Sequence, residues 1–169
     1  MDHQIDITIA GLGIIFYSPF AVAHIKDGSD YLESDFWDPA RVAEHVMDCQ
    51  LSAFGTGSPG TYHIRLFDGH YSETEINDAM AAIRLGVEIR DGTLCFRDLY
   101  DLMDWQAECP VNQTTPVPNG FYELTVFTNR PKSGILGDNQ AINIHFRSVP
   151  EKPRLKWGGV PDISGEPVA

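Results

Sequence analysis

Cysteine is scarce in this chain, and its placement argues against a disulfide framework. Cys49, Cys95 and Cys109 form no close pair and no Cys-x-x-Cys motif. Because their number is odd and their spacing irregular, we predict reduced thiols, which is the state that a reducing cytoplasm maintains. We therefore expect a cytoplasmic protein.

Targeting and membrane-spanning segments are also lacking. The first Lys or Arg is Lys26, so the N-terminal segment has no basic region of the kind that opens a signal peptide. The longest apolar stretch, residues 9–23, is interrupted by glycine, serine and proline and is too short to cross a bilayer. These features predict a protein that does not bind or span membranes.

Basic residues are few: 12 Lys and Arg stand against 24 Asp and Glu, which gives a net charge of −12. This balance argues against binding nucleic acid or an anionic membrane, because both need a basic surface. It permits a basic protein partner, including a protein that itself binds nucleic acid. The same charge would also serve solubility alone, so both interpretations stay open.

Catalytic motifs are missing as well. The chain contains no Gly-x-Ser-x-Gly and no His-Glu-x-x-His sequence, and each cysteine has apolar neighbours, as buried inert thiols do. We therefore predict no catalytic residue, no cofactor and no metal, and we favour a protein that is not an enzyme.

Alternating apolar and polar residues dominate what remains. Residues 120–128 and 141–147 alternate on either side of a loop rich in glycine, which predicts a long-looped β-hairpin; residues 5–9, 11–17 and 61–67 read as further strands. We predict a mainly β, antiparallel β-sandwich-like single domain over residues 1–150, with one or two short helices and an irregular tail over residues 151–169. The core positions predicted from these patterns are Ile7, Phe16, Val42, Val46, Ile64, Leu66, Tyr122, Leu124, Val126, Ile142, Ile144 and Phe146.

Two short segments of the sequence carry residues that are typical of the start of a helix. Asp38 and Pro39 suit the N-cap and first position of a helix over residues 39–49. A capping box at residues 72–75 predicts a helix through residue 80, although residues 81–89 fit a strand, and we favour a hairpin over residues 84–96. We also expect a short strand over residues 20–25 and a short helix over residues 98–105.

Two groups of polar residues are candidates for binding a small ligand. Thr56 and Ser58 lie in the turn Gly-Thr-Gly-Ser-Pro-Gly, which offers backbone amides and hydroxyls to an anion but lacks the lysine of a P-loop. His63, Arg65, His145 and Arg147 fall on the polar faces of two strands and would form one cationic patch if those strands are neighbours. The alternatives are a structured turn and a solvated sheet face.

The acidic segment over residues 27–48 is a candidate for binding a protein. Its carboxylates stand beside aromatic residues, a combination that supplies both steering charge and apolar anchors. The residues predicted to contact a partner are Asp30, Tyr31, Glu33 and Asp35. The alternative is that Phe36 and Trp37 pack under the following helix. The basic segment over residues 147–156 could pair with these acids within the molecule or between copies, so a homo-oligomer is possible.

The last half of the chain shows the pattern Gly-x-Tyr-x-Leu-Thr at residues 120–125, a loop at residues 137–140 and an apolar strand at residues 142–146. In this it resembles the competence protein J-like group of small acidic bacterial proteins, which is typified by the inhibitor of a competence nuclease. The resemblance implies a β-sandwich and an inhibitor-like or immunity-like role, which is our leading functional prediction. The helix at 39–49, the glycine-rich turn and the tail depart from the pattern. The alternative is a small-ligand, anion- or metal-binding protein, or a hydrolase, that uses the His/Arg face and the glycine-rich turn.

Overall fold

The computed structural model describes residues 2–165, which form two β-sheets and a few short helices. The strands are β1 (Asp2–Ile9), β2 (Gly13–Tyr17), β3 (Ser52–Gly55), β4 (Gly60–Asp68), β5 (Ala81–Ile89), β6 (Thr93–Asp98), β7 (Thr114–Pro116), β8 (Gly120–Thr128) and β9 (Gln140–Val149). The α-helices are α1 (Tyr31–Asp35), α2 (Pro39–Met47) and α3 (Glu73–Asn77), and 3₁₀ helices span Pro19–Val22, Leu99–Asp104 and Val111–Gln113.

The two sheets share one apolar core. One sheet has the strand order β1-β4-β9-β8-β5, and the other has the order β3-β2-β6-β7. Every pairing between these strands is antiparallel except that of β4 with β9, which is parallel. The predicted mainly β, sandwich-like class is therefore confirmed, with one parallel pairing that the sequence pattern did not reveal. None of the helices within residues 2–165 has the length and apolarity needed to cross a bilayer.

The final hairpin is present, and its predicted core positions are buried. β8 and β9 pair so that Leu124 lies opposite Phe146 and Val126 opposite Ile144. Because side chains alternate along a strand, this register turns Leu124, Val126, Ile144 and Phe146 towards the other sheet. All twelve predicted core positions are buried.

Two predicted elements are wrong. Residues 20–25 form no strand, because Pro19 opens a 3₁₀ helix and the Phe20 amide donates to the Asp91 carboxylate at 2.6 Å. The hairpin over residues 84–96 is also absent, since β5 pairs with β8 in one sheet and β6 pairs with β2 and β7 in the other. The turn at residues 90–92 carries the chain from one sheet to the other.

The predicted helices are present with adjusted ends. Asp38 accepts a hydrogen bond from the Ala40 amide at 2.9 Å and caps α2, which ends at Met47. Ser72 and Glu75 form the predicted capping box, but α3 ends at Asn77 and β5 follows. The predicted helix at 98–105 is the 3₁₀ helix Leu99–Asp104.

The C-terminal segment packs along the edges of both sheets. The Trp157 indole donates to the Arg84 carbonyl of β5 at 3.1 Å, and Ile163 is fully buried beside β3. The last four residues of the predicted tail lie outside the described range. The three cysteines are free thiols.

Candidate functional site

An apolar groove of about 330 Å³ opens between the helices α1–α2 and the four-stranded sheet. β2 and β3 form its floor, and the 3₁₀ helix Leu99–Asp104 and the C-terminal segment form its sides. Most of the side chains that line it are apolar or aromatic, among them Leu12, Leu32, Phe36, Trp37, Val42, Leu99, Tyr100 and Val160, and Asp162 adds one carboxylate. A groove of this size and lining can accommodate an apolar group.

Four large apolar residues of the groove are exposed to solvent. Trp37 is 74% exposed, Leu12 53%, and Tyr100 and Val160 are each 40% exposed. The alternative in which Phe36 and Trp37 both pack beneath α2 holds only for Phe36, which is 3% exposed. Asp38 caps α2 directly after Trp37. The Trp37 indole lies at the rim of the groove and does not pack beneath α2.

Two acidic segments that are distant in sequence meet beside this groove. The loop before α1 is hydrogen-bonded to the end of the 3₁₀ helix Leu99–Asp104: the Gly28 amide donates to the Trp105 carbonyl at 2.7 Å. The Ala107 amide donates to the Asp27 carboxylate at 2.9 Å. Residues 27–48 carry seven acids and residues 98–108 carry four. Their contact brings the two acidic segments together, and each segment contributes residues to the groove, Trp37 from the first and Tyr100 from the second.

The four residues predicted to contact a partner take different roles within α1. The Asp30 carboxylate accepts from the Glu33 amide at 2.9 Å and caps the helix, while the Glu33 side chain is exposed. The Tyr31 hydroxyl donates to the Asp35 carboxylate at 2.9 Å. Asp30 and Glu33 are therefore accessible, whereas Tyr31 and Asp35 belong to an internal network.

That network holds the acidic helix against α2. Arg41 donates to Asp35 at 2.5 Å, and the His45 imidazole contacts the same carboxylate. Burial acts to raise the pKa of Asp35, but the hydrogen bonds from Arg41, Tyr31 and His45 outweigh it and lower the pKa to about 2. Burial, followed by the hydrogen bond to Asp35, raises the pKa of Tyr31.

The glycine-rich turn is closed by its own hydrogen bonds. Thr56 is fully buried, and its hydroxyl donates to the Ser58 carbonyl at 2.9 Å. The Ser58 hydroxyl donates to the Pro59 carbonyl at 2.8 Å. Gly60 has a φ of +148° and lies in contact with the backbone of Gly137, an approach that a side chain would prevent. These contacts are those of a structured turn, which was the alternative to an anion-binding turn in the sequence analysis.

The structure brings the predicted His/Arg residues onto one sheet face but divides them into two groups. β4 and β9 are neighbours, with Arg65 opposite Asn143 and Phe67 opposite His145. At one end His63 contacts the Asp6 carboxylate at 2.6 Å, and this hydrogen bond lowers the pKa of Asp6. His145 lies at the other end, with its ring stacked on Phe67 at 4.8 Å.

Arg147 and Arg84 reach the same carboxylate on the outer face of the five-stranded sheet. Arg147 contacts Glu123 at 2.9 Å and Arg84 contacts it at 3.3 Å. These groups, with Thr125 and His145, line a polar pocket of about 320 Å³. Among residues 2–165, no three His, Cys, Asp or Glu side chains are arranged to hold a metal ion.

Sequence reasoning missed the groove and the role of Arg84. Trp37 carried a misleading signal, because a large apolar residue directly before an N-cap often packs on the first turn of the helix. Leu12, Tyr100 and Val160 carried none, since they come from separate segments that only the fold brings together.

The architecture defines the class: a small two-sheet, mainly β protein with an acidic surface beside an apolar groove. No family model matches the sequence, and no curated protein sequence matches it significantly. One similar solved structure is titled "Crocagin biosynthetic gene J"; it is 12% identical, with 86% of this chain and 97% of that chain covered and a TM-score of 0.52. Another is ComJ from Bacillus subtilis, titled an inhibitor of the DNA degrading activity of NucA; it is 11% identical, with 88% and 99% covered and a TM-score of 0.49.

The protein that typifies the group predicted from the sequence is thus among the structural neighbours. At these identities the likeness concerns the fold.

Proposed function

We propose that this protein is a non-enzymatic binding module that docks a basic segment of another protein on its acidic surface and in the apolar groove. The partner inserts an aromatic or aliphatic side chain beside Trp37, and its lysines or arginines face the surrounding carboxylates. The observation that carries the proposal is the 74% exposure of Trp37 at the rim of the groove.

The energetics of interfaces support this pairing of features. Tryptophan and tyrosine are enriched among the interface residues that contribute most to binding energy. Clusters of large exposed apolar side chains are uncommon on monomeric proteins and typically mark interaction sites. Carboxylates around such a cluster increase the rate of encounter with a basic partner and disfavour acidic ones. The net charge of −12 extends this preference over the whole molecule.

An acidic module of this kind is suited to inhibition. A protein that acts on nucleic acid presents a basic surface, and a carboxylate-rich partner competes for it. We propose such an inhibitor-like or immunity-like role, and the free thiols support a cytoplasmic location for it. Lys152 pairs with Asp48 at 2.8 Å within the molecule, so part of the charge available for a homo-oligomer is already used internally.

The test uses a random peptide library selected on the immobilised protein. We expect the recovered peptides to combine lysine or arginine with an aromatic or aliphatic residue. The Trp37→Ala variant should bind them at least about tenfold more weakly, which corresponds to the loss of one interface hot spot. Because the indole is exposed, its removal should leave the unfolding temperature nearly unchanged.

Ile135→Ala is the matched control, since Ile135 is 65% exposed and lies outside the groove. Glu33→Lys should weaken binding and reduce its dependence on salt. Peptides without a basic bias, or equal binding by the Trp37 and Ile135 variants, would refute the proposal.

A further inference from the structure

His145 is a polar side chain enclosed by aromatic rings. Its imidazole stacks between Phe67 at 4.8 Å and Phe127 at 5.6 Å, and the Tyr71 ring meets its edge at 5.8 Å. The residue is 7% exposed, and neither ring nitrogen makes a well-formed hydrogen bond among residues 2–165. Burial lowers the pKa of the imidazole, and the Glu75 carboxylate and the backbone of Gly69 and His70, which approach the ring, act in the opposite direction. The Glu75 carboxylate of α3 stands 3.8 Å from Nε2.

An arrangement of this kind is costly unless something compensates for it. Buried nitrogen atoms are almost always hydrogen-bonded, and each one left unpaired destabilises the folded state. A phenylalanine would stack equally well between two other phenylalanines and would leave no polar atom unpaired. The imidazole at this position therefore suggests a further partner that completes the hydrogen bonding which Glu75 and the nearby backbone provide only weakly.

The polar pocket of about 320 Å³ beside His145 offers further hydrogen-bond donors. Arg84, Thr125 and His145 lie side by side on β5, β8 and β9, because Thr125 is paired with both of the others in the sheet register. Arg147 adds a second guanidinium, and Glu123 is the only carboxylate among the pocket-lining residues that the structure describes. With a neutral imidazole the lining carries two positive charges and one negative charge, and the Glu75 carboxylate beside His145 adds a second negative charge at the edge of the pocket.

The two guanidinium groups have more N–H donors than the Glu123 carboxylate can accept. Arg84 and Arg147 share the Glu123 carboxylate, yet their side chains remain 63% and 53% exposed. Each guanidinium has five N–H donors, so one carboxylate cannot satisfy both groups. The pocket therefore has N–H donors that can pair with acceptor atoms of a ligand, on a molecule whose net charge is negative.

We infer that this pocket binds a small oxyanion, of the phosphate or carboxylate type. Its oxygens accept hydrogen bonds from the guanidinium groups of Arg147 and Arg84, from the Thr125 hydroxyl and from the imidazole of His145. Tyr71 and α3 lie against the imidazole. A small outward movement of these two elements would allow a ring nitrogen of His145 to contact the ligand. The site is on the outer face of the five-stranded sheet and is separate from the groove around Trp37.

The experiment follows the side-chain ¹⁵N resonances of His145 and the unfolding temperature while inorganic phosphate or succinate is added at constant ionic strength. We expect one of these probes to shift the His145 resonances and raise the unfolding temperature in a saturable way. Phosphate acting alone identifies a phosphate-type ligand, and succinate acting alone identifies a carboxylate. If neither shifts the resonances, the inference is wrong.

Three variants separate a site from a general salt effect. Arg147→Gln should weaken binding by about tenfold or more, because it removes a charge-assisted hydrogen bond. His145→Phe should fold at least as stably as the wild type and also lose binding. Arg65→Gln, on the same sheet face but outside the pocket, should bind normally. Equal stabilisation of all these proteins would mean that the anion acts by exclusion from the surface, and would overturn the inference.

Discussion

At the scale of single residues, Leu124 shows how a strand pattern becomes a stability prediction. It is fully buried opposite Phe146 in the final hairpin. Replacing it with alanine should lower the free energy of unfolding by about 2–5 kcal/mol, through lost burial and the cavity left behind. Urea unfolding measures this, with Thr125→Ala on the opposite face as a control that should change far less. A Leu124→Ala variant as stable as the control would contradict the assigned register.

Asp35 gives the protein a specific sensitivity to acid. Its pKa is lowered from 3.8 to about 2 in the folded state, so its contribution to stability is present above about pH 4 and is lost as the pH falls through about 2. We expect Asp35→Asn to be less stable than the wild type near neutral pH, with the difference shrinking between about pH 4 and pH 2. Unfolding curves collected across this range measure the effect.

Glu33→Gln is the matched control for Asp35→Asn, because Glu33 lies on the same helix and its side chain is exposed. A difference between wild type and Asp35→Asn that stays constant with pH would mean that the Tyr31–Arg41–His45 network does not depend on the Asp35 charge.

The cysteines differ in expected reactivity. A hydrogen bond from Cys95 lowers the pKa of Cys109, which is partly exposed, whereas burial raises the pKa of Cys49 to about 11. Because the thiolate is the reactive form, Ellman's reagent should label one thiol quickly in the native protein and the others only after denaturation. Cys109→Ser should abolish the fast phase. A fast phase that survives this change would assign the reactivity to another cysteine.

At the scale of elements, patterns local in sequence were predicted well and pairings between distant segments were not. The cap at Asp38, the capping box at Ser72 and the faces of β8 and β9 each depend on residues close together in the chain. A two-residue period identifies which face of a strand is buried but not which strand lies beside it. This is why the parallel pairing of β4 with β9 and the separation of β5 from β6 into different sheets escaped prediction.

The candidate sites follow the same division. The sequence placed His145 and Arg147 together because they are two residues apart on one strand, but the aromatic rings around His145 come from β4, β8 and the segment before α3. The acidic segment 27–48 was recognised from the sequence, but its contact with the four acids of residues 98–108 is produced only by the fold. A binding site assembled from several elements is therefore recognised from sequence only in fragments.

At the scale of the whole molecule, the C-terminal segment completes the fold instead of trailing from it. The Gly55 amide at the end of β3 donates to the Pro161 carbonyl at 2.7 Å, and the Ile163 amide donates to the Gly55 carbonyl at 2.9 Å. Gly55 and Asp162 form a parallel bridge, so the segment occupies the backbone groups at the end of an edge strand. Covering an edge in this way prevents pairing with strands of other molecules.

Ile163 is the residue that tests this role, because its side chain is fully buried in the shared core. Ile163→Ala should lower the free energy of unfolding by about 2–5 kcal/mol, as the loss of a core isoleucine does. Val160→Ala, three residues earlier and 40% exposed, should change it by no more than about 0.5 kcal/mol. Chemical denaturation measures both, and light scattering during storage should show association of the Ile163 variant through the uncovered edge of β3. If the two variants are equally stable and remain monomeric, residues 151–165 are an appendage and the domain ends where the sequence pattern first placed its boundary, at residue 150.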